Sequence, residues 1–319
     1  MDIPVLDVPP GTEPAIYGIQ HAHDRFELLL CSARRTYTRP GLAVADRLSA
    51  VWARRAGSPY GAAIAQVQAR VGHGAYMLNH SYEWGCTAGV HAGRLMRTLD
   101  WPFDGLGQAL IVTRWDGGAG PYWSVTWPGV VGVLTGLAPG RFAAAINQPP
   151  LPRTAGARMT AWPVARWRVA RQRALSPTHA LRHAFDHCPD YASADAWLRT
   201  IPLCIPAIFT IAGPNDGEAV VIERTERHAF EPTRAVAANH WTSQGAPPGQ
   251  PRNLSSHSRH RAMCSLMDAD PQWSLDWVQA PILQPDTRVA VLADPRAGRM
   301  LVQGWESSGP VTTVLSLGA

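Results

Sequence analysis

The pattern of apolar and polar residues changes near residue 85. Before this point, residues 21–30, 42–56 and 60–71 have the composition of helices and are separated by glycine and proline breaks. Prolines also mark residues 1–20, which we expect to form an extended, irregular arm. Residues 1–85 are therefore predicted to be a mainly helical N-terminal segment.

Short apolar runs bounded by glycine and proline follow residue 86 and are typical of strands. We predict strands at 110–113, 122–126, 130–134, 142–146, 205–212, 219–223, 228–237, 288–293 and 311–317. Helices are predicted at 164–175, 178–187, 193–199 and 259–267. Strands, then helices, then strands again indicate an α+β fold in which two stacked sheets are covered by helices.

The strongest chemical candidate is Cys86, which directly follows Gly85. A thiol is a weak nucleophile near neutral pH unless a base or a positive neighbour raises its thiolate fraction. If the bond between Gly85 and Cys86 is cut, the freed α-amine has a reference pKa of about 7.7 to 8.0 and can serve as that base. Glycine suits such a site because it tolerates unusual backbone conformations.

Arg97 and Asp100 are the expected charge partners of Cys86. Arg97 would hold the thiolate, and Asp100 would accept a hydrogen bond from the new ammonium group. Alternation along a strand separates these two side chains, so we expect a bend at Trp101-Pro102 to bring them together. In the alternative interpretation, Arg97 and Asp100 form a surface ion pair and Cys86 is a small buried hydrophobic residue.

Composition limits the classes of function. The chain has 319 residues, of which 46% are apolar, so it can bury a large core, and we predict one large domain. The chain has 29 arginines and no lysine. Its net charge of +5 is moderate, so no nucleic-acid partner is predicted. The five cysteines form no CxxC pair, and no secretory signal is obvious, which predicts a cytoplasmic protein. No apolar run of about 18 residues predicts a transmembrane span.

Three other features have competing interpretations. The arginine-rich run 166–173 is expected to be a solvated helix face, with peripheral contact to an anionic membrane as the functional alternative. His21 and His23 lack further ligands at a recognisable spacing, so no metal site is predicted. His91 could form a dyad with Cys86, but five residues of strand span about 16 Å. His240 is expected only to pack.

Several motifs occur together in a recognisable order. They are Trp84-Gly85-Cys86-Thr87, the run from Arg97 to Phe103, residues 127–142 with Ile146-Asn147, residues 217–224, and Ala238-Asn239-His240-Trp241. This set resembles the amidases grouped with acid ceramidase, N-acylethanolamine acid amidase and choloylglycine hydrolase, which are N-terminal-nucleophile (Ntn) hydrolases. The resemblance implies a four-layer αββα sandwich over residues 86–319, preceded by residues 1–85 as a separate fragment after self-cleavage.

The resemblance also implies roles for individual residues. Cys86 would be the nucleophile, Arg97 and Asp100 its partners, and Asn239 a side-chain contributor to the oxyanion hole. A later arginine would be Arg259, with Arg261 as the alternative. The substrate-binding residues implied are Asn147, Gln148 and Trp101. The chain departs from the family where acid ceramidases carry Asn-Glu, since it has Asn147-Gln148, and where they carry Arg-Asn-x-Asp, since it has Arg97-Thr98-Leu99-Asp100.

The predicted function is hydrolysis of a linear amide bond in a small N-acyl amide, through a thioester at Cys86 and without a cofactor. Acyl transfer to an amine, as in penicillin-forming acyltransferases, is one alternative. A non-catalytic protein of this fold that binds an acylated ligand is another. Both fragments of the cut precursor would remain partners in the first two cases.

Overall fold

The computed structural model describes residues 1–80, 84–152, 172–251 and 255–318. The helices in these residues are α1 (Pro14–His21), α2 (His23–Tyr37), α3 (Arg39–Ala56), α4 (Gly61–Val71), α5 (Ala75–Asn79), α6 (Pro177–His187), α7 (Tyr191–Thr200) and α8 (Ser256–Asp268). The strands are β1 (Val5–Asp7), β2 (Gly85–His91), β3 (Arg94–Asp100), β4 (Ile111–Asp116), β5 (Pro121–Thr126), β6 (Thr135–Ala138), β7 (Phe142–Asn147), β8 (Leu151–Pro152), β9 (Ala207–Ala212), β10 (Ala219–Arg224), β11 (Ala229–Phe230), β12 (Val236–Ala237), β13 (Gly249–Gln250), β14 (Thr287–Asp294), β15 (Arg299–Glu306), β16 (Gly309–Pro310) and β17 (Leu315–Leu317).

Two sheets hold most of these strands. The larger has the order β1-β4-β5-β6-β7-β9-β10-β11, and the smaller has the order β12-β2-β3-β14-β15-β16, with β17 also paired to β15. β2 and β3 form an antiparallel hairpin whose turn, Ala92-Gly93, has positive φ at both residues. Positive φ at both central residues is typical of the two-residue turns that match the twist of a hairpin.

The two sheets stack face to face. β2 and β3 of the smaller sheet pack against β7 and β9 of the larger. Helices α6 and α7 contact β7, β9 and β10, and α8 contacts β2 and β12. The layers therefore run helix, sheet, sheet, helix, which confirms the predicted α+β class and the αββα sandwich.

Helices α1, α2, α4 and α5 form a second, smaller core before the β2–β3 hairpin. Ile16, Ile64 and Val67 lie in this cluster, together with Val131 from the loop before β6. The predicted helices at 42–56 and 60–71 are confirmed as α3 and α4. The side chain of Thr38 caps α3 by accepting the N–H of Gly41, and the helix ends at Gly57 with φ 62°.

Some sequence predictions are wrong. Residues 1–20 are not an irregular arm, because β1 joins the edge of the larger sheet beside β4 and α1 forms a helix. Residues 130–134 form a loop before β6, not a strand. The predicted helix at 164–175 and the arginine-rich run at 166–173 lie largely outside the described residues.

Candidate active site

The β2–β3 hairpin places Cys86 and Arg97 in the interface between the sheets. Cys86 lies opposite Leu99, and Arg97 lies opposite Ala88, so both side chains are on the face that meets the larger sheet. Arg97 Nη2 lies 3.2 Å from Cys86 Sγ and donates to the Ile146 carbonyl on β7 at 2.9 Å. Both side chains are 0% exposed.

The groups around the Cys86 thiol shift its pKa in opposite directions. Burial raises its pKa to about 11, while the guanidinium of Arg97 lowers it and the carboxylate of Asp100 raises it. Arg259 and a hydrogen bond from the Gln148 backbone also lower it. The thiol of the uncut chain is therefore protonated near neutral pH, so nucleophilic attack needs a base.

Asn239 connects the backbone of Cys86 to α8. Its Oδ1 accepts the Cys86 N–H at 2.9 Å and a hydrogen bond from Arg259 Nη2 at 2.7 Å. Its Nδ2 donates to the Gln148 carbonyl at 2.7 Å. The amide group of Asn239 is thus fixed beside the nucleophile at both ends.

Arg259 reaches this site from the first turns of α8. Its Nη1 donates to the Cys86 carbonyl and, at 2.7 Å, to Thr87 Oγ1. Arg259 is buried, whereas Arg261 is exposed on the same helix. Of the two arginines that the sequence left open, the structure brings Arg259 to the cysteine.

Asp100 lies on the opposite face of β3 from Arg97. β3 continues to its end at Asp100, and the carboxylate lies 3.6 Å from Arg259 Nη1. Thr287 Oγ1 on β14 donates to Asp100 Oδ1 at 2.7 Å. Burial raises the pKa of Asp100, and Arg259 opposes this. The chain does bend at Pro102, but this does not bring Asp100 to Arg97, because Asp100 stays in β3 on the opposite face and pairs with Arg259.

The residues expected to bind substrate lie around the same site. Asn147 ends β7, and its Nδ2 donates to the carbonyls of Ala237 and Ala238, both at 3.3 Å. The side-chain amide of Gln148 is buried and has no hydrogen-bond partner in the described part of the chain. Trp101 packs against Trp84, with ring centroids 5.2 Å apart. Gln148 therefore offers an unused donor and acceptor near Cys86.

The other candidates lie elsewhere. His91 is at the far end of β2 and contacts Asp270 at 3.0 Å, so it forms no dyad with Cys86. His21 Nδ1 contacts the carbonyl of Tyr17 in α1 at 3.0 Å. Among the residues that the structure describes, no group of three or more His, Cys, Asp or Glu side chains could hold a metal ion. Within the same residues, no helix has the length and apolar character needed to cross a membrane.

The sequence did not point to two residues of this site. Thr287 could not be found without the pairing of β3 with β14, because it is 187 positions from Asp100. Ser256 accepts the N–H of Asn239 at 2.8 Å. It lies three residues before the predicted helix at 259–267, and because serine is favoured at helix N-termini, this was a signal that could have drawn attention to it.

No protein-family model and no curated protein sequence matches the chain. Among solved structures, it is similar to an N-acylethanolamine-hydrolyzing acid amidase ortholog from Caenorhabditis elegans, with 17% identity, a TM-score of 0.48 and coverage of 67% of this chain and 93% of that one. It is also similar to penicillin V acylase from Agrobacterium tumefaciens, with 15% identity, a TM-score of 0.40 and coverage of 74% and 86%. A mutant form of conjugated bile acid hydrolase from Clostridium perfringens gives 9% identity, a TM-score of 0.43 and coverage of 73% and 92%. Likeness at this level assigns no activity to this chain.

Proposed function

We propose that this protein is a hydrolase of linear amide bonds that cuts its own chain between Gly85 and Cys86 and then uses Cys86 as an N-terminal nucleophile. One observation carries this proposal. The thiol of Cys86 lies 3.2 Å from Arg97, while the backbone nitrogen of the same residue lies 2.9 Å from Asn239 Oδ1. The motifs that resemble the acid ceramidase group support the same assignment.

Self-cleavage begins when the Cys86 sulfur attacks the Gly85 carbonyl carbon. The thiol proton passes to the nitrogen as the carbon–nitrogen bond breaks, and Gly85 is held as a thioester on the sulfur. Water then hydrolyses the thioester, which leaves residues 1–85 with a carboxylate and residues 86–319 with a free α-amine. Gly85 lies between Asp100 and Asn239, since a Cβ on it would be 3.2 Å from Asp100 Oδ2 and 3.6 Å from Asn239 Oδ1. Its departure opens space beside the nucleophile.

The new α-amine then acts as the base. Its reference pKa of about 7.7 to 8.0 lies near working pH, so it can take the thiol proton as the sulfur attacks the amide carbon of the substrate. The amine returns that proton to the leaving amine when the carbon–nitrogen bond breaks. Water attacks the resulting thioester and releases the carboxylic acid.

The remaining site residues stabilise charge. Asn239 Nδ2 uses one N–H for Gln148, so its second N–H can donate to the oxyanion. A donor of this kind is often worth about 10²- to 10³-fold in kcat. Arg97 stabilises the thiolate, and Asn239 Oδ1 and Asp100 accept hydrogen bonds from the ammonium. The unpartnered side-chain amide of Gln148 suits a polar group next to the acyl carbon.

The test combines intact mass with activity on a panel of N-acyl amides. The wild-type chain should yield fragments 1–85 and 86–319, whereas Cys86→Ala should stay uncut and inactive. Cys31→Ala changes an exposed cysteine outside the site and should behave as wild type. Amidase activity that survives in Cys86→Ala would overturn the proposal. Product analysis with an added amine separates hydrolysis from acyl transfer.

A further inference from the structure

Asn239 occupies a segment without regular backbone pairing. β12 ends at Ala237, and Asn239 follows in a bend outside every strand and helix. No sheet ladder therefore fixes its backbone. Its position beside Cys86 depends on individual hydrogen bonds.

Helix α8 supplies two of these hydrogen bonds from its first turn. Ser256 Oγ accepts the backbone N–H of Asn239 at 2.8 Å, and Arg259, three residues later, donates to the side-chain oxygen at 2.7 Å. Residues three apart lie on the same face of a helix, so both can reach Asn239. Ser256 is 0% exposed, so bulk water does not reach its hydroxyl group.

The hydroxyl of Ser256 has a second partner, the ring of His240. Ser256 Oγ lies 2.7 Å from His240 Nδ1. Since the oxygen accepts the N–H of Asn239, the hydroxyl proton is free to be donated to Nδ1. This arrangement requires the neutral tautomer of His240 with its proton on Nε2.

The charged and titratable groups around His240 favour that neutral form. The rings of His257 and His260 on α8 lie with centroids 4.0 Å and 5.3 Å from the His240 ring. Burial, followed by these two histidines, Arg259 and Arg261, lowers the pKa of His240 to about 4. Glu223 on β10 also faces this region. It accepts the Thr242 N–H at 2.7 Å, and its charge raises the pKa of His260, against the lowering by burial.

We infer that Ser256 and His240 are positioning residues for the amide hydrolysis proposed above. Ser256 holds the backbone of Asn239, and His240 fixes the direction of the Ser256 hydroxyl, so that the Asn239 side chain keeps its place beside Cys86. This inference rests on the proposed function. Neither residue contacts the reacting atoms, and each acts through Asn239.

The first experiment measures kcat and KM in matched pairs of variants. Ser256→Ala should lower kcat about 10²-fold with little change in KM, as expected for a displaced catalytic group, and Ser256→Thr should restore most of it. His240→Asn keeps an acceptor near the position of Nδ1 and should retain more activity than His240→Leu. His257→Asn changes the exposed neighbouring ring and serves as the control. A wild-type kcat in Ser256→Ala, or an equal loss in His257→Asn and His240→Leu, would overturn the inference.

A pH profile separates positioning from general stabilisation. The ratio of wild-type kcat to that of His240→Asn cancels the titration of groups that do not face His240, such as the α-amine of Cys86. The ratio should be constant at pH values well above the pKa of His240, which is about 4, and fall as the pH approaches that pKa. A ratio that does not change with pH would show that the protonation of His240 does not matter.

Hydrogen exchange supplies a readout that does not need activity. In the Cys86→Ala chain, adding Ser256→Ala should speed exchange of the Asn239 backbone amide and leave the amides of β3 unchanged. If the wild-type protein hydrolyses no amide, the proposed function fails while this measurement still decides whether Ser256 holds Asn239. Unchanged exchange at Asn239 would refute the inference.

Discussion

The guanidinium of Arg97 lies 3.2 Å from the sulfur of Cys86, although the two residues are not opposite each other across the β2–β3 ladder. They are diagonal neighbours on one face of the hairpin, which is within reach of a long side chain. The Ile146 carbonyl on the facing sheet accepts from the same Nη2 at 2.9 Å. Packing of the two sheets therefore holds the positive charge against the thiol.

Replacing Arg97 should raise the pKa of Cys86. An opposite charge at this range typically lowers a pKa by about 1 to 3 units, so Arg97→Met should remove a shift of that size and lower kcat near neutral pH. The rate at which iodoacetamide alkylates Cys86 at a fixed pH, read from the mass of the peptide that carries Cys86, scales with the thiolate fraction and reports the difference in pKa between Arg97→Met and wild type. Arg94→Met, at the other end of β3, is the matched control. The same Cys86 pKa in Arg97→Met and wild type would contradict the assigned role.

A side chain at Gly85 should slow self-cleavage without changing the cleaved enzyme. A Cβ there would lie 3.2 Å from Asp100 Oδ2 and 3.3 Å from Asp100 Cβ, which is tighter than ordinary contact. Gly85→Ala should therefore displace the carbonyl carbon of residue 85 from the Cys86 sulfur. The two fragments should then appear more slowly on gels. Once the chain is cut, residue 85 is no longer attached to the core, so kcat per cleaved molecule should equal that of wild type.

The control for this prediction is Gly61→Ala, because a Cβ at Gly61 would meet nothing within 4 Å. Cleavage of Gly85→Ala at the wild-type rate would show that the contact with Asp100 yields easily. A lower kcat in the cleaved Gly85→Ala protein would show that residues 1–85 still act on the site after cleavage.

The sequence predicted the parts of the fold that local pattern controls. The helices α3 and α4 follow from helical composition between glycine and proline breaks, and the order of strands, helices and strands indicated two stacked sheets covered by helices. Cys86 and Arg97 share one short hairpin, so their proximity could be expected from a motif of few residues. The expectation needed no contact between distant parts of the chain.

Contacts between segments that lie far apart in the chain could not be predicted from the sequence. Val5–Asp7 becomes a strand only because it pairs with Val112, Thr113 and Arg114 at a sheet edge. β15 was not predicted, although Gly298 with φ 63° closes a turn between it and β14. Asp100 meets Thr287 and Arg259 because β14 pairs with β3 and α8 packs on β2, and no spacing in the sequence encodes that arrangement.

A buried ionic network joins the N-terminal segment to α6. Arg182 binds Glu13 at 2.7 Å and 3.0 Å and Asp186 at 3.4 Å. Asp186 also accepts from the hydroxyl groups of Tyr60 at 3.0 Å and Tyr122 at 2.8 Å. Asp186 therefore holds partners from both sides of the cleavage site.

Removing the charge of Asp186 should destabilise the protein strongly. Breaking one partner from a buried ion pair typically costs about 3–5 kcal/mol, so Asp186→Asn should lower the free energy of unfolding by about that amount. Urea denaturation of the uncut Cys86→Ala chain measures it. Asp268→Asn breaks an exposed pair with Arg234 and should cost at most about 1 kcal/mol. Similar losses in the two variants would mean that the network contributes little.

Stability should also fall with pH below about 6.5, because burial lowers the pKa of His179 and of His240. The unfolded chain then binds protons that the folded chain does not, so each histidine contributes stability at neutral pH that is lost as the pH falls from about 6.5 toward its folded pKa. The slope of the free energy of unfolding against pH is at most about 1.4 kcal/mol per pH unit for each histidine.

His179 donates to or accepts from Ser58 Oγ at 3.1 Å and faces His80 and Arg182. His179→Gln should therefore remove one such contribution and make the free energy of unfolding depend less steeply on pH. The measurement is the free energy of unfolding at several pH values in the uncut Cys86→Ala chain, with exposed His228→Gln as the control. An equally steep slope in His179→Gln would mean that His179 takes up its proton as readily in the folded chain as in the unfolded one.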